Sequence, residues 1–209
     1  MQPSFLIEKQ YENLIAAGID EAGRGPLAGP VVAACVILDK NTIIQGINDS
    51  KKITKIKRQK IFLEICQKAK FGVGIINSQT IDKINILQAT KLAMHAAFEN
   101  LQNKYQIFPQ LVLVDGNIIP FKKQNQIEEI IAIVKGDSKS LSIAAASIVA
   151  KETRDQIMHN FHQTYPQFHF DKHAGYGTKL HIEKIREFGI SPIHRKSFEP
   201  IKSMLNDII

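Results

Sequence analysis

Short apolar runs alternate with longer amphipathic ones along the chain. Ile15 to Asp20 and Val31 to Leu38 read as strands, the second a continuous β-branched and apolar run. "FGVGIIN" predicts a third, "LVLVD" a short buried strand ending at Asp115, and "IIAIVKGD" another ending near Asp137. Leu87, Met94, Phe98 and Leu101 recur at steps of seven, four and three, which predicts a helix from about Ile84 to Leu101 with these side chains on one face. A long helix is expected from Ser140. Within it Ile143, Ala146, Ala150, Ile157 and Phe161 keep helical spacing, and Pro166 lies beyond its end. "TKLHIEKIREFG" predicts a further helix stopped by Gly189. Pro192 and Pro200 are each placed to open a short terminal helix. Strands come early and helices late, with helices also between strands. The expected class is α/β: a mixed sheet flanked by helices, with a C-terminal helical segment.

Composition adds bounds. The 209 residues are 44% hydrophobic and 22% charged, enough to fill a core, and without repeats or linkers they read as one domain, 1–209. No apolar run approaches the ~18 residues of a membrane span. "MQPSFLIEKQYENL" lacks a basic segment followed by a long apolar one, so no signal peptide is expected. Cys35 and Cys66 lie far apart in apolar contexts and read as reduced core thiols of a cytoplasmic protein. The net charge of +7 and pI of about 9.3 point towards an anionic partner such as nucleic acid. Placement sharpens this. Residues 168–196 hold six lysines and arginines and four histidines against three acids, and the loop "NDSKKITKIKRQK" is a second basic cluster. Two such clusters beside a group of acids suggest a phosphate-binding rim around a metal-binding centre.

Asp20, Asp115 and Asp137 each end an apolar strand or follow it closely, and each has a glycine nearby. An aspartate at a strand end often only caps a turn. Three of them in one basic chain, with Glu21 as a fourth carboxylate, suggest convergence at the mouth of an α/β sheet. Asp20 and Glu21 point to opposite faces of a strand, so both reach one site only if the chain bends between or just after them, and Ala-Gly-Arg-Gly-Pro suits that bend. Four converging carboxylates repel and take up protons unless cations intervene. An all-oxygen set favours Mg²⁺ or Mn²⁺ over Zn²⁺, and two such ions ~4 Å apart form the clamp used for phosphodiester cleavage.

"GRGPLA" matches the dinucleotide fingerprint in form only. That fingerprint must open a helix, whereas here a strand, "VVAACVIL", follows. The glycines read instead as an exposed turn whose N–H groups approach a ligand closely. "HFDKH" reads as a loop with solvated or phosphate-facing histidines rather than a zinc site. "AGYGT" sets Tyr176 between two glycines, either as an ordinary turn or as a ring held out to stack on a sugar or base.

"GIDEAGRGPLAGPVVAA", "NDSKKIT", "INILQATKLAM", "LVDGN", "VKGDSKSLSIAAASIVAKETRD", "GYGTKLH" and "SPIHRKSF" follow one another in the order that marks bacterial ribonuclease HII, the type 2 ribonuclease H. The chain resembles that family from about Ala17 to Phe198. The resemblance implies a ribonuclease H-like fold and a two-metal endonuclease using Mn²⁺ or Mg²⁺. Such an enzyme hydrolyses the RNA strand of RNA–DNA hybrids and nicks duplex DNA 5′ to a single embedded ribonucleotide. It leaves a 3′-hydroxyl and a 5′-phosphate, as in ribonucleotide removal from DNA. The resemblance puts the metal-binding, catalytic acids at Asp20, Glu21, Asp115 and Asp137. It puts the backbone that contacts the ribose 2′-hydroxyl at Gly23, Arg24 and Gly25, the sugar-stacking ring at Tyr176, and a phosphate-contacting lysine at Lys51. It divides the chain into a catalytic core at about 15–165 and a substrate-binding segment at about 166–209, acting as a monomer away from membranes. The related ribonuclease HIII carries an additional N-terminal domain, for which the residues before Gly18 leave no space. Two departures are Ala174, where relatives often carry lysine, and Glu152 in "KETRD", where "KVTRD" is common. A nucleic-acid-binding module without catalysis is the alternative function; it would need the basic clusters but not the acids. A nucleotide-binding enzyme would need a helix after the glycines.

Overall fold

A run of small and β-branched residues, "VVAACVI", can be buried on both faces of a sheet, and it forms β2 (Val31–Ile37), six of whose seven residues are buried. The structure is a computed structural model and describes residues 2–39, 41–42, 44–47, 53–123 and 126–206. β2 pairs antiparallel with β1 (Ala16–Ala22) on one side and with β3 (Lys70–Ile76) on the other. β4 (Leu111–Asp115) joins β1 in parallel, and β5 (Glu129–Ile133) joins β4 in parallel. The sheet order is β3-β2-β1-β4-β5. The mixed sheet expected from the sequence is therefore present, with β1 in the centre.

Helices cover both faces. α2 (Ser78–Tyr105) packs Ala89, Ala93, Met94, Ala97, Phe98 and Leu101 against Ala17, Ile19, Ala33, Cys35, Val112 and Val114. On the opposite face α1 (Lys55–Lys68) and α3 (Leu141–Thr164) cover Ala34 and Val36. α3 lies directly on β1: a Cβ at Gly18 would fall 2.2 Å from the Ser142 carbonyl carbon. The C-terminal part forms α4 (Phe170–His173), α5 (Lys179–Phe188) and α6 (Ile201–Asn206). Phe168, Phe170, Ile185, Ile193 and Ile201 close a separate core over Leu27, Ala28 and Met158. Among the described residues no helix is long and apolar enough to cross a membrane.

Several expectations change. The basic run read as a loop is, from Lys55, the start of α1; its residues 48–52, with Lys51, lie outside the described residues. Thr54 caps this helix by accepting from Lys57 N–H, and Ile61 and Ile65 face inward. Its Arg58 is buried against Glu152 and Asp155 of α3. The acid at position 152 therefore has a role, as one half of the pairing that ties α1 to α3. Cys66 is exposed, not a core thiol, because Ile65 beside it takes the inward position; Cys35 is buried.

α2 begins six residues before Ile84, and Asn85 breaks its regularity with φ +65° while its side chain caps the following turn through Leu87 N–H and Gln88 N–H. Leu87, in the first turn after this break, is exposed rather than covered with Met94, Phe98 and Leu101 on the inner face. β5 stops at Ile133, and Lys135 (φ +56°) turns the chain so that Asp137 sits in a short 3-10 turn instead of at a strand end. "HFDKH" forms the helical turn α4 rather than a loop, and His173 is buried. The helix after Thr178 stops at Gly189 as expected, and α6 follows Pro200, but Pro192 opens only a turn.

Candidate active site

Side chains alternate along β1, and Gly18 faces α3, so Asp20 does too. β4 follows the same rule: Leu111 and Leu113 pack with Ile143 of α3, which puts Asp115 on that face. The last registered pair of the two parallel strands is Ile19 with Val114. One step further both strands carry an aspartate, side by side on one face. Asp20 is buried, and its carboxyl is held well above the usual carboxylate range, first by burial and then by Glu21 and Asp115. Hydrogen bonds from Ser147 and from Glu21 N–H (2.7 Å) oppose that shift. Asp115 Oδ1 accepts from Gly136 N–H at 2.6 Å, which ties the turn carrying buried Asp137 to the end of β4. Glu21 lies past the end of β4 and lines the neighbouring cleft, where Arg24 pairs with it at 3.3 Å.

The cleft, about 520 Å³, is bounded by Glu21 to Gly25, by Ser147, Lys151 and Arg154 of α3, and by Tyr176. Both acids stay within β1. The bend comes at Gly23, whose φ of +96° suits glycine. A Cβ there would also strike the Arg154 side chain at 2.1 Å. A Cβ on Gly25 would stand 3.9 Å from Tyr176 Cε1, so the bare turn faces the edge of the exposed ring. Two buried arginines hold this turn from beneath. Arg195 donates to the carbonyls of Gly23 (2.6 Å), Arg24 (2.9 Å) and Gly29 (2.9 and 3.0 Å). Arg154 donates to those of Pro30, Ala28 and Ala174 at 3.0–3.1 Å. Burial lowers both guanidiniums, to about 10 for Arg154 and about 9 for Arg195, and both remain charged at neutral pH.

Three histidine rings lie under the Tyr176 loop. His173 stacks on His181 with centroids 4.4 Å apart, and His181 Nε2 stands 3.0 Å from His194 Nε2. Burial first, with repulsion from the neighbouring rings added, pushes His181 and His194 down to about 4. Unfolded histidines take up protons below about 6.5, whereas these two do so only near 4. Protons therefore bind preferentially to the unfolded chain, and stability falls as pH drops through that window. The urea midpoint is expected to be lower at pH 5 than at pH 7; a midpoint that does not fall contradicts buried neutral rings.

A family model for ribonuclease HII matches residues 17–201. The chain belongs to the ribonuclease HII family. The ribonuclease HII of Rickettsia bellii (strain OSU 85-389) is 54% identical over 191 residues, 91% of this chain and 93% of that protein. The crystal structure of ribonuclease H2 from Pyrococcus horikoshii OT3 superposes with a TM-score of 0.71 at 28% identity, covering 92% of this chain and 97% of that one. The Bst-RNase HIII structure in complex with Mn²⁺ gives a TM-score of 0.74 at 21% identity over 99% of this chain and 74% of that one, a likeness of fold alone. The sheet and its helices thus form a ribonuclease H-like fold, and a ribonuclease HII is an endoribonuclease, a hydrolase of phosphodiester bonds.

For a ribonuclease HII the donors fit hard divalent ions: they are all carboxylate oxygens, and burial, with repulsion from Glu21 and Asp115 added, makes Asp20 resist ionising. Among the described residues no three acidic, histidine or cysteine side chains already form a metal cage. Sequence reasoning brought out Asp20, Glu21, Asp115, the Gly23–Gly25 turn and Tyr176; the structure puts Glu21, the turn and Tyr176 on one cleft and sets Asp20 and Asp115 on adjacent strands beside it. Asp137 enters through the tie of its turn to Asp115. It missed Ser147, Lys151 and Arg154, although their spacing of four and three residues puts one polar stripe on an apolar helix. Arg195 and the histidines read locally as members of a basic cluster; the carbonyls that Arg195 holds lie 166 to 172 positions away, whereas the histidines' partners lie within 13 residues of them.

Proposed function

We propose that this ribonuclease HII hydrolyses the RNA strand of RNA–DNA hybrids and nicks duplex DNA 5′ to a single ribonucleotide. It leaves a 3′-hydroxyl and a 5′-phosphate and serves ribonucleotide removal. Asp20, Glu21, Asp115 and Asp137 would hold two divalent ions, Mn²⁺ or Mg²⁺. Bound there, such ions supply an activated water and stabilisation of the leaving oxygen. The observation that carries the reading is the side-by-side placement of Asp20 and Asp115 next to a cleft that ends at Tyr176. Gly23, Arg24 and Gly25 present backbone to the 2′-hydroxyl, the one group that separates ribose from deoxyribose. Tyr176, 44% exposed, stacks on the sugar at the RNA–DNA junction. Ser147 holds Asp20, and Lys151 adds positive charge at the rim. Residues 166–209 act as the substrate-binding segment, and the protein works as a cytoplasmic monomer. Lys51 is assigned to a phosphate contact by family resemblance alone.

The deciding assay is a DNA duplex with one ribonucleotide, incubated with and without Mn²⁺. A metal-dependent nick at that residue is expected; no nick with metal would overturn the reading. Tyr176→Ala is expected to lower cleavage at the lone ribonucleotide by roughly 10- to 100-fold, as the loss of about 1–3 kcal/mol of stacking implies. Duplex binding should change far less. Equal losses in cleavage and binding would count against the stacking role.

A further inference from the structure

The cleft is lined by the Gly23–Gly25 loop and by Tyr176 of the Gly175–Gly177 loop, and one turn reaches both loops from below. That turn is Ser191–Arg195. Arg195 grips the Gly23 and Arg24 carbonyls. His194, its chain neighbour, points the other way, into the histidine cluster. Its Nδ1 accepts from Ser191 N–H at 2.8 Å. An amide N–H can only donate, so the proton of a neutral His194 is on Nε2. That N–H donates to His181 Nε2 at 3.0 Å, which leaves the His181 proton on Nδ1. His181 Nδ1–H then donates to the Tyr176 carbonyl at 2.9 Å. Each step fixes the next, and the relay runs in one direction from Ser191 to Tyr176.

The surroundings keep the relay neutral and dry. His173, stacked on His181, is itself fixed as a neutral ring: Nδ1 accepts from Gly175 N–H (3.2 Å) and Nε2 lies 2.9 Å from the Phe168 carbonyl. Phe168 meets His194 edge-on at 4.9 Å, and Phe170 meets His181 at 5.5 Å. His181, His194 and Arg195 are all buried. Protonation of His181 at Nε2 would set two N–H groups face to face at 3.0 Å, and protonation of His194 at Nδ1 would set its N–H against that of Ser191 at 2.8 Å; both pKa values of about 4 oppose this at neutral pH.

We infer that His194 and Arg195 form a bracket, a pair of positioning residues that sets the separation between the Gly23–Arg24 backbone and Tyr176. Arg195 holds one loop directly, and His194 holds the other through His181. The inference rests on the reading that these two loops contact one ribose, and it adds what fixes them to one ribose length. Because both arms spring from adjacent residues, neither loop shifts alone. Loosening an arm therefore impairs turnover at a ribonucleotide more than it impairs duplex binding.

The test begins with the unsubstituted protein. Histidine side-chain ¹⁵N spectra at pH 7 are expected to report neutral rings, with the proton on Nε2 of His194 and on Nδ1 of His181. A charged ring or the reverse tautomers would overturn the relay. His194→Asn keeps an acceptor for Ser191 N–H but is too short to reach His181. It should lower kcat on a single-ribonucleotide duplex by about 10- to 100-fold, the cost of a reacting group misplaced by about 1 Å, with duplex Kd within about threefold. His194→Gln restores a donor toward His181 and should recover most of that kcat. Unchanged kcat in His194→Asn, or equal failure of the two variants, overturns the bracket. Should His194→Asn fail to fold, His181→Asn breaks the same link from its other side, with the donor to the Tyr176 carbonyl kept, and serves the same comparison. Tyr176→Ala, measured alongside, separates the two levels. If it too leaves kcat unchanged, the ribose-reading assignment falls and the bracket with it; if it alone lowers kcat, only the bracket falls.

Discussion

Asp20→Asn is expected to lower cleavage in Mg²⁺ or Mn²⁺ by roughly a thousand-fold, equivalent to the several kcal/mol of charge stabilisation that a bound ion supplies. The fold should survive. The carboxylate is buried and repelled by Glu21 and Asp115, so an uncharged amide of the same shape removes an unfavourable charge. In EDTA the melting temperature of the variant should equal or exceed that of the parent. The two measurements together separate chemistry from folding. Near-normal cleavage would remove Asp20 from the metal-binding set, and a collapsed melting temperature would recast it as a structural residue.

Gly18→Ala carries the second large effect, this time on stability. The added methyl would lie 2.2 Å from the Ser142 carbonyl carbon and 2.3 Å from Ile143 N, both helix backbone. The strand cannot retreat, because Gly18 is registered against Val36 on one side and Leu113 on the other. α3 must move, at a cost of about 3 kcal/mol, which for a chain of this size lowers Tm by roughly 10 °C. Ser147 rides on the same helix, so the shift also takes its hydroxyl from Asp20. Calorimetry and cleavage measured well below the melting temperature should therefore both report a loss. A Tm within 1 °C of the parent would mean that the helix contact at Gly18 is looser than its geometry implies.

Much of the frame of the candidate site was legible in the sequence because strands announce themselves locally. An apolar run that ends in aspartate, twice, places two carboxylates at the same edge once the strands pair in parallel. The rest was hidden for identifiable reasons. α1 has Ile61 and Ile65 as its fully buried apolar residues, set among lysines and glutamines, so its charge outweighed its periodicity. Asn85 breaks the regularity of α2 inside the span read as one helix. Buried polar groups were the least readable. His173 lies in a run that looks solvated, yet it ends up stacked in a core. Arg195 finds its carbonyl partners 166 to 172 positions earlier in the chain. Burial of such a residue is set by long-range topology, about which local composition is silent.

The hydrogen bonds of Arg154 and Arg195 go to main-chain carbonyl oxygens, whose dipoles share a positive charge without cancelling it. Both guanidiniums lie beneath the cleft, out of reach of the mobile ions that shield surface lysines over about 8 Å at physiological ionic strength. Attraction from the lysine rim fades as salt is added. The potential from these two interior cations is screened less than that of the rim, so the balance of positive charge along the cleft shifts from its edges to its floor as salt is added.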